Sequence, residues 1–221
     1  ELSGIRKLST KVAGHLASTQ GDLCLNGLTE LSTDAAKKLS THKGELYLDG
    51  LLQLPVNITE ILSSHEGNLY LNGLKDLGAD HAKFLSEHRG SLWLSSLASL
   101  EKSASHNLFQ HKDLLVLDGI KVLNEKVAEF ISMYKGNRQL DGVESISEKT
   151  AEQLSYHSGI LNLNGLLSLS DQAADKLSRH DGDLGLNGLI NVSDNALKLL
   201  ASSKSRIFLR PEIEKKMKSL Q

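Results

Sequence analysis

The chain has 221 residues, a mass of 24.1 kDa and a formal net charge of -2 from 25 basic and 27 acidic side chains. A near-neutral chain is a poor candidate for non-specific nucleic-acid binding, which depends on excess positive charge. One cysteine, Cys24, excludes an intrachain disulfide framework and a multi-cysteine metal site. No apolar run approaches the roughly 18 residues of a membrane helix and no charged-then-apolar leader opens the sequence, so we expect a soluble protein with no membrane partner.

Leucine supplies 44 of the 221 residues and recurs at a fixed interval. Eight ungapped segments of 23 residues cover residues 21–204 and share the pattern G-x-L-x-L-(N/D)-G-L-x-x-L-S-x-x-A-A-x-x-L-S-x-H-x. Residues 1–20 match the last twenty positions of a further copy, and residues 205–221 supply a last strand and a C-terminal cap. Because such units bury their apolar faces only by stacking on one another, we predict a single repeat domain over residues 1–221.

Each part of the pattern predicts one element, in chain order. The stretch x-L-x-L-x alternates apolar and polar residues and predicts a short strand buried on one face. The (N/D)-G pair predicts a turn in which glycine takes a positive φ. A serine then lies at the N-cap of a short, Ala-rich helix, as at Ser32, Ser147, Ser170 and Ser193. The glycine that opens the next repeat lies where a helix C-terminal glycine would fall.

Stacked units of this kind place parallel strands on one side and helices on the other, with the leucines between them. Since helices need more width than the strand spacing of about 4.8 Å, the stack is expected to curve with its strands on the concave face. The polar strand positions then project from that concave face in three columns.

These residues resemble the leucine-rich-repeat family. The strand core L-x-L, with apolar anchors three and six residues later (Leu28 and Leu31 after Leu25), matches the family's most conserved segment. The 23-residue length is similar to bacterial leucine-rich-repeat proteins, including effectors that intracellular pathogens such as Legionella inject into host cells. The resemblance implies an α/β, right-handed leucine-rich-repeat solenoid, with parallel strands on the concave face, short helices on the convex face and protein binding without catalysis.

The sequence departs from the family at the position three residues after the strand core, where asparagine or cysteine is usual. An apolar residue stands there in each full repeat, so the hydrogen bonds of the usual asparagine ladder must come from elsewhere. These residues are Leu28, Leu51, Leu74, Leu97, Ile120, Val143, Leu166 and Leu189.

Three aromatic residues fall in successive repeats of the central column, and they include the only tryptophan of the chain. Because Trp and Tyr dominate interface energetics, we predict a partner-binding patch with a slot beside Trp93 for a partner side chain. The alternative is cross-strand stacking that stiffens the sheet. The predicted partner-binding residues are Tyr47, Tyr70, Trp93, Leu114, Val116, Glu45, Asp49, Asn68, Asn72, Asp118 and Asp141.

The same face carries more acids than bases. Its acidic residues predict a protein partner with a basic or mixed polar patch, and they argue against nucleic acid. The alternative is that Asp49, Asp118 and Asp141 alternate with asparagine as turn formers. The charged residues of the three columns are Asp22, Glu45, Asp49, Asp118, Asp141, Asp183, Arg206 and Arg210.

Six histidines share one repeat position at the predicted helix end: His42, His65, His88, His111, His157 and His180. We interpret them as structural, with ring nitrogens bonded to the last carbonyls of the helix; the alternative is a metal-binding array. Arg138 replaces an inward leucine and predicts an irregular strand. Glu212–Gln221 follows Pro211, breaks the pattern and predicts a helix that covers the last repeat.

No phosphate loop, paired carboxylates or nucleophile with a base is evident in the sequence, so no catalytic residue, metal ligand or cofactor is predicted. The sequence predicts a monomeric, non-enzymatic protein-interaction module. One version of this prediction is a virulence effector, secreted into the host cytoplasm, that binds or inhibits a host protein or another effector. The alternative is a structural or surface-adhesion repeat protein without one specific ligand.

Overall fold

The computed structural model of the chain describes residues 4–221, so the first three positions of the partial repeat over 1–20 lie outside the described residues. The chain divides into two compact units, unit 1 (Glu1–Val116) and unit 2 (Leu117–Gln221). The single solenoid expected over residues 1–221 stays a prediction.

Unit 1 alternates short helices with two-residue strands, and its five strands form a parallel sheet in the order β1-β2-β3-β4-β5. Its helices are α1 (Thr10–Ala17), α2 (Thr33–Leu39), α3 (Val56–Ser63), α4 (Ala79–Ser86) and α5 (Lys102–Leu108). Its strands are β1 (Leu23–Cys24), β2 (Leu46–Tyr47), β3 (Leu69–Tyr70), β4 (Leu92–Trp93) and β5 (Leu115–Val116).

Unit 2 repeats this arrangement with parallel strands in the order β6-β7-β9-β11, and a second parallel pair joins β8 to β10. Its helices are α6 (Glu125–Met133), α7 (Glu148–Ser155), α8 (Asp171–Leu177), α9 (Asp194–Ala201) and α10 (Pro211–Ser219). Its strands are β6 (Arg138–Gln139), β7 (Leu161–Asn162), β8 (Ser168–Leu169), β9 (Leu184–Gly185), β10 (Asn191–Val192) and β11 (Ile207–Phe208). The predicted α/β class, with parallel strands and one short helix in each repeat, is confirmed.

The core of each unit is a set of leucine columns that run across the strands. In unit 1, Leu46, Leu69 and Leu92 are register partners on successive strands, and none of the three has exposed surface. Full burial of one leucine side chain contributes about 1.5–3 kcal/mol, so each repeat is stabilised by its neighbours. Fully buried alanines such as Ala35 and Ala36 line the helix side of the same core.

The helices begin where the sequence predicts. Ser32 Oγ accepts a hydrogen bond from the backbone N–H of Ala35 at 3.3 Å, and Ser147 Oγ accepts one from Thr150 at 3.0 Å. Ser170 and Ser193 cap α8 and α9 in the same way. Such caps satisfy one of the free N–H groups of the first helical turn and typically contribute about 1 kcal/mol.

The glycine of the (N/D)-G pair differs from its prediction. In the part of the chain that the structure describes, positive φ occurs only at five glycines that open a repeat, among them Gly21 and Gly182. The turn glycines are required for space instead, since a Cβ at Gly73 would lie 2.0 Å from the carbonyl oxygen of Asp49 in the preceding repeat. The prediction considered the local backbone alone, whereas the close approach of stacked turns excludes a side chain.

Arg138 occupies an inward leucine position in β6 and is fully buried. The strand stays regular, because Arg138 pairs in register with Leu161, and the predicted irregularity is therefore wrong. The guanidinium satisfies part of its hydrogen-bonding capacity by donating to the carbonyl oxygens of Asn137 and Lys135, both at 3.1 Å. Burial lowers the pKa of Arg138 to about 10, so the side chain stays charged at neutral pH.

The helix predicted after Pro211 is confirmed as α10, and it packs on α9 with an ion pair of 2.7 Å between Lys216 Nζ and Asp194 Oδ1. No residue of α10 is buried, however, so the helix covers the last repeat only partly. The longest helices in residues 4–221 are α6 and α10, with nine residues each. No helix in that range has the length and apolar character that crossing a membrane requires.

Candidate functional site

The three aromatic residues of the central column form one continuous stack on the strand face of unit 1, the side from which the polar strand residues project. The ring centroids of Tyr47 and Tyr70 are 4.0 Å apart with planes inclined by 12°. Those of Tyr70 and Trp93 are 4.1 Å apart with planes inclined by 17°. The parallel register, which pairs Tyr47 with Tyr70 and Tyr70 with Trp93, produces this stack because it places the three side chains side by side. We call these three residues the aromatic stack.

The stack leaves no slot for a partner side chain between its rings. At separations of 4.0 and 4.1 Å the facing rings are in van der Waals contact. Both faces of Tyr70 are therefore covered, and only ring edges remain available along the middle of the stack. The predicted slot beside Trp93 is therefore closed on the side of Tyr70 in this conformation.

Val116 does not extend the exposed patch as predicted. It pairs in register with Trp93 on the next strand, and only 1% of its surface is exposed. A short branched side chain beside a large indole is easily shielded from solvent. Leu114, two residues earlier, remains half-buried and can still contribute apolar surface.

Glu45 organises the polar side of the aromatic stack. Its Oε2 accepts hydrogen bonds from the hydroxyls of Tyr47 at 2.5 Å and Tyr70 at 3.0 Å, and its Oε1 accepts one from Asn68 Nδ2 at 2.7 Å. The hydrogen bonds from Tyr47 and Asn68 lower the pKa of Glu45, and the bond to Glu45 raises the pKa of Tyr47 far above its ordinary value. Glu45 is therefore ionised at neutral pH, and both phenols are protonated donors.

One donor of the aromatic stack stays available to a partner. The indole N–H of Trp93 makes no hydrogen bond with any residue that the structure describes, and the side chain is only half-buried. A buried indole N–H normally finds an acceptor. A partner that covers Trp93 is therefore expected to supply a carbonyl or carboxylate oxygen.

The hydrogen bonds of the missing asparagine ladder come from the residue directly after each L-x-L core, two positions before the usual one. In unit 1, Asn26 Oδ1 accepts from the N–H of Asp49 at 3.0 Å, and Asp49 Oδ1 accepts from the N–H of Asn72 at 2.9 Å. Asn72 Oδ1 continues to Ser95 at 3.0 Å. Asp49 and Asn72 therefore hold successive repeats together, which supports their structural interpretation. Asp49 is half-buried, and its Oδ2 accepts no hydrogen bond from a described residue.

Asp118 and Asp141 form the same ladder in unit 2. Asp118 Oδ1 accepts from the N–H of Asp141 at 2.9 Å, and Asp141 Oδ1 accepts from the N–H of Asn164 at 3.1 Å. Asp118 Oδ2 also accepts a hydrogen bond from Gln139 Nε2 at 2.9 Å. Burial raises the pKa of Asp141, and the neighbouring charge of Asp118 adds to this. These two predicted site residues thus have structural partners of their own.

Apart from Leu114 and Val116, the predicted site residues fall into two groups. The structure brings five of them together in one contiguous network on unit 1, which we call the strand-face patch: Glu45, Tyr47, Asn68, Tyr70 and Trp93. The ladder residues are bound to neighbouring repeats. Sequence analysis missed the role of Glu45 as the acceptor that joins both phenols. A signal was present, because residues two apart on a strand share a face and Glu45 precedes Tyr47 by two.

Two histidines of the column bond to backbone carbonyls through both ring nitrogens. His42 Nε2 lies 2.8 Å from the carbonyl oxygen of Gly21, and His157 Nε2 lies 2.9 Å from that of Gly136. The Nδ1 atoms of the same rings face carbonyls at or beside the end of the preceding helix, such as Ala17 at 3.3 Å. In these two rings Nδ1 faces a carbonyl of the preceding repeat and Nε2 faces the glycine that opens the histidine's own repeat, so His42 and His157 each join two repeats.

The rings of this column stack with centroids 6.2–6.4 Å apart from His42 to His111. Burial lowers the pKa of His65 and of His157 to about 4, with smaller contributions from neighbouring positive charge. The described residues contain no group of three or more His, Cys, Asp or Glu side chains placed to hold a metal ion.

Comparison with known proteins identifies the fold. No protein-family model matches the chain, and no curated protein matches it in sequence. The structure of the TLR13–ssRNA13 complex is similar, with a TM-score of 0.57 and 17% identity over 92% of this chain and 31% of that one. A leucine-rich-repeat protein of Leptospira interrogans is a more distant match, with a TM-score of 0.36 and 13% identity over 97% of this chain and 73% of that one.

This chain therefore spans less than a third of the TLR13 chain to which it is similar. At 17% identity the likeness establishes the fold alone. Together with the repeating strand and helix units, it identifies the architecture as that of leucine-rich-repeat proteins.

Proposed function

We propose that the chain is a non-enzymatic protein-interaction module that binds one protein partner through the strand-face patch of unit 1. The observation that carries this proposal is the aromatic stack, which places three large rings in successive repeats on a half-buried surface. The chain has only nine aromatic residues of the Phe, Trp and Tyr types, so three on one face are a marked concentration. Rigid aromatic side chains lose little entropy when a partner covers them.

The geometry of the patch restricts the partner's chemistry. Because the ring faces are used within the stack, the partner meets ring edges, which carry partial positive charge. A cation above a ring face is therefore disfavoured at Tyr70. Positive groups of the partner are expected at Asp22 and at Asp49 Oδ2, which flank the stack, and an acceptor is expected at the Trp93 indole N–H.

Nucleic acid is not part of the proposal, although the similar TLR13 structure is a complex with ssRNA13. The three strand-face columns of unit 1 contain Asp22, Glu45 and Asp49 and no basic residue. Phosphates are bound by clusters of Lys and Arg, and stacking on bases requires a free ring face. Titration with single-stranded RNA is expected to give no binding that depends on Trp93.

The decisive experiment combines affinity purification from the native cell with calorimetry on the purified partner. Trp93→Ala and Tyr70→Ala are each expected to weaken binding by about 2 kcal/mol, roughly thirtyfold in Kd, because central aromatic anchors dominate interface energy. Lys37→Ala is the matched control, since Lys37 is exposed on α2, away from the strand face, and its loss is expected to cost under about 0.5 kcal/mol. Loss of binding in the control with retention in the aromatic variants would place the partner on the helices and refute the proposal.

The finer version of this proposal is a bacterial effector that restrains a host protein or another effector inside the host cell. Its support is the 23-residue repeat length, which is similar to that of bacterial leucine-rich-repeat effectors such as those of Legionella. The measurement that tests it is translocation of a tagged chain from a bacterial donor into a host cell. Absence of translocation together with a partner from the donor's own cytoplasm would contradict the effector role.

A structural or adhesive repeat without one specific ligand is the second candidate, and one observation favours it. The hydroxyls of Tyr47 and Tyr70 both donate hydrogen bonds to Glu45, so the aromatic stack also joins two neighbouring repeats within the protein. If purification from the native cell enriches no protein that depends on Trp93 or Tyr70, this candidate replaces the first.

A further inference from the structure

The outer edge of β11 in unit 2 has backbone donors that the repeat does not use. In β6, β7 and β9, the earlier strands of the same sheet in unit 2, the residues at the two inward positions donate their N–H groups to carbonyls of the following repeat. Leu161 and Leu163 donate to Asp183 and Gly185, each at 2.9 Å. Leu184 and Leu186 donate to Arg206 and Phe208, at 2.9 and 2.8 Å.

The corresponding residues of the last strand are Ile207 and Leu209. Within the described part of the chain their N–H groups have no acceptor, because β11 is the terminal strand of the unit 2 sheet. Within residues 4–221, no later segment pairs with this edge. After Arg210 it enters α10 at Pro211 and packs on α9, and no residue of α10 is buried.

The exposure of the side chains agrees with an uncovered edge. Ile207 is partly exposed, whereas Leu161 and Leu184, its equivalents in earlier repeats, are at most 1% exposed. Phe208 is 44% exposed on the strand face. Its register partner on β9 is Gly185, which has no side chain to cover the ring. An exposed strand edge with two adjacent donors is a template for strand addition by another chain.

The segment that contains β11 is basic, although Asp183 and Asp194 outside it pair with Arg206 and Lys216. Residues 198–221 contain seven basic side chains and two acidic ones, in a chain whose net charge is -2. Arg206 is paired with Asp183 and lies 5.7 Å above the ring of Phe208. Arg210 donates to the neutral carbonyl oxygen of Asn187 at 3.1 Å and forms no ion pair with a described residue, so its charge is uncompensated.

We propose that the outer edge of β11 binds an extended, acidic segment of a partner protein as an additional strand. The ladder geometry gives the pattern of that segment. The residue beside Phe208 is apolar or aromatic, and the residues two before and two after it are acidic, because they lie beside Arg206 and Arg210. This site is on unit 2 and shares no residue with the strand-face patch of unit 1.

The probe is the synthetic peptide acetyl-Ser-Asp-Val-Phe-Val-Asp-Ser-amide, titrated into the full chain by calorimetry at low salt. Binding is expected, and it is expected to weaken as salt screens the charges. Arg210→Glu is expected to raise Kd by more than about tenfold, whereas Lys37→Glu, which changes the charge equally on unit 1, leaves it unaltered. Absence of binding, or equal loss in both variants, would overturn the proposal.

Strand addition itself is tested through the backbone. Ile207→Pro removes one outward N–H and no hydrogen bond to β9, since proline is tolerated at the free side of an edge strand. It is expected to abolish peptide binding, and Ile207→Val, which keeps the N–H, is expected to retain it. Binding by a folded Ile207→Pro variant as tight as that of the wild type would refute strand addition.

A second pair of peptides keeps the test valid if Ile207→Pro does not fold. In an extended strand the N–H and C=O of one residue point to the same edge, and the next residue points to the other. N-methylation of the peptide's phenylalanine is therefore expected to abolish binding, and N-methylation of the valine that follows is expected to preserve it. Equal effects of the two methyl groups would contradict a strand register.

Two further outcomes would show that the peptide binds elsewhere or that the edge binds a different partner. If Trp93→Ala abolishes peptide binding, the peptide lies on the strand-face patch and the proposal is wrong. If the protein alone sediments as a dimer that Ile207→Pro dissociates, the occupant of the edge is a second copy and not an acidic partner. Neither result bears on the partner of unit 1, whose binding is measured with the aromatic variants.

Discussion

Glu45 directly precedes β2, and the hydroxyl of Tyr70 on the neighbouring strand β3 donates a 3.0 Å hydrogen bond to the same carboxylate oxygen that accepts from Tyr47. One acid thereby fixes the orientation of two rings in successive repeats. Because the rings also stack at 4.0 Å, the strand-face patch is preorganised before a partner arrives. Preorganisation of this kind lowers the entropic cost of binding.

Glu45→Gln tests this relationship. The substitution keeps the shape but removes the charge and one acceptor, so the phenols lose their charge-assisted hydrogen bonds. We expect a weaker near-UV circular dichroism signal and an altered emission of Trp93, the only tryptophan, with an unchanged far-UV spectrum. Glu30→Gln, at an exposed residue paired with Lys7, is the control. Identical near-UV spectra for wild type and Glu45→Gln would show that stacking alone orders the rings.

Much of the fold follows from the sequence because one pattern is repeated eight times. The leucine spacing predicts the strands and the serine positions predict the helix starts, and both are confirmed at Leu46, Leu69 and Ser32. The failures concern contacts between repeats. The space required at Gly73, the burial of Val116 and the closed stack at Tyr70 all depend on what the neighbouring repeat brings close. A pattern read along one repeat does not contain those distances.

Acid is expected to destabilise the protein through its histidine column. Burial holds the pKa values of His65, His88, His157 and His180 below the ordinary value of 6.5, so these rings are neutral in the folded state. The unfolded chain binds more protons than the folded one between pH 6.5 and about 4, the folded value for His65 and His157. Stability is therefore complete above pH 6.5 and falls as pH decreases through this window, by up to about 1.4 kcal/mol per pH unit for each histidine.

The measurement is urea unfolding at several pH values between 7.5 and 4.5. His65→Leu is expected to reduce the pH dependence, because one titrating group is removed from the buried column. His15→Gln is the control, since His15 is exposed on α1. A free energy of unfolding that stays constant from pH 7 to pH 5 would contradict this account.

Metal ions are expected to have little effect on the same column. The ring nitrogens of His42 face the backbone carbonyls of Ala17 and Gly21, and those of His157 face Ile131 and Gly136, so they are not directed at a common point. A ligand of the folded state at a hundredfold excess over its Kd would stabilise it by about 2.7 kcal/mol. Titration with Zn²⁺ or Ni²⁺ should therefore leave the melting temperature within error. Stoichiometric binding with a clear upward shift would support the metal-array interpretation instead.

Arg138→Leu is expected to be tolerated. Leucine fills the equivalent positions Leu161 and Leu184 with at most 1% exposure, and replacing a buried charge by a packed apolar residue is often neutral or stabilising. The loss of the two hydrogen bonds to the carbonyl oxygens of Asn137 and Lys135 lowers the stability of the variant by about 1 kcal/mol each. We expect a net change within about 1.5 kcal/mol for Arg138→Leu, and a loss of about 3 kcal/mol or more for Arg138→Ala, which also leaves a cavity.

A second readout separates charge from packing at this position. The positive charge of Arg138 contributes to the low pKa of His157, after burial. Arg138→Leu should therefore raise the pKa of His157, measured by the chemical shifts of its ring protons. An unchanged pKa would show that the guanidinium charge is fully screened inside the core.

Removal of residues 212–221 should lower the stability of unit 2 by a modest amount. The apolar residues Ile213, Met217 and Leu220 of this segment are only half-buried, so each contributes less than the roughly 1.5–3 kcal/mol of a fully buried side chain. Part of that gain offsets the entropy of ordering the helix. We therefore expect a loss of about 1–2 kcal/mol, a few degrees in melting temperature for a chain of this size.

Lys216→Ala removes only the exposed ion pair with Asp194, which is worth under about 1 kcal/mol, and serves as the control. If the truncated chain melts at the same temperature as the full one, α10 does not cap the last repeat, and the leucines beneath it must be shielded by the repeat alone.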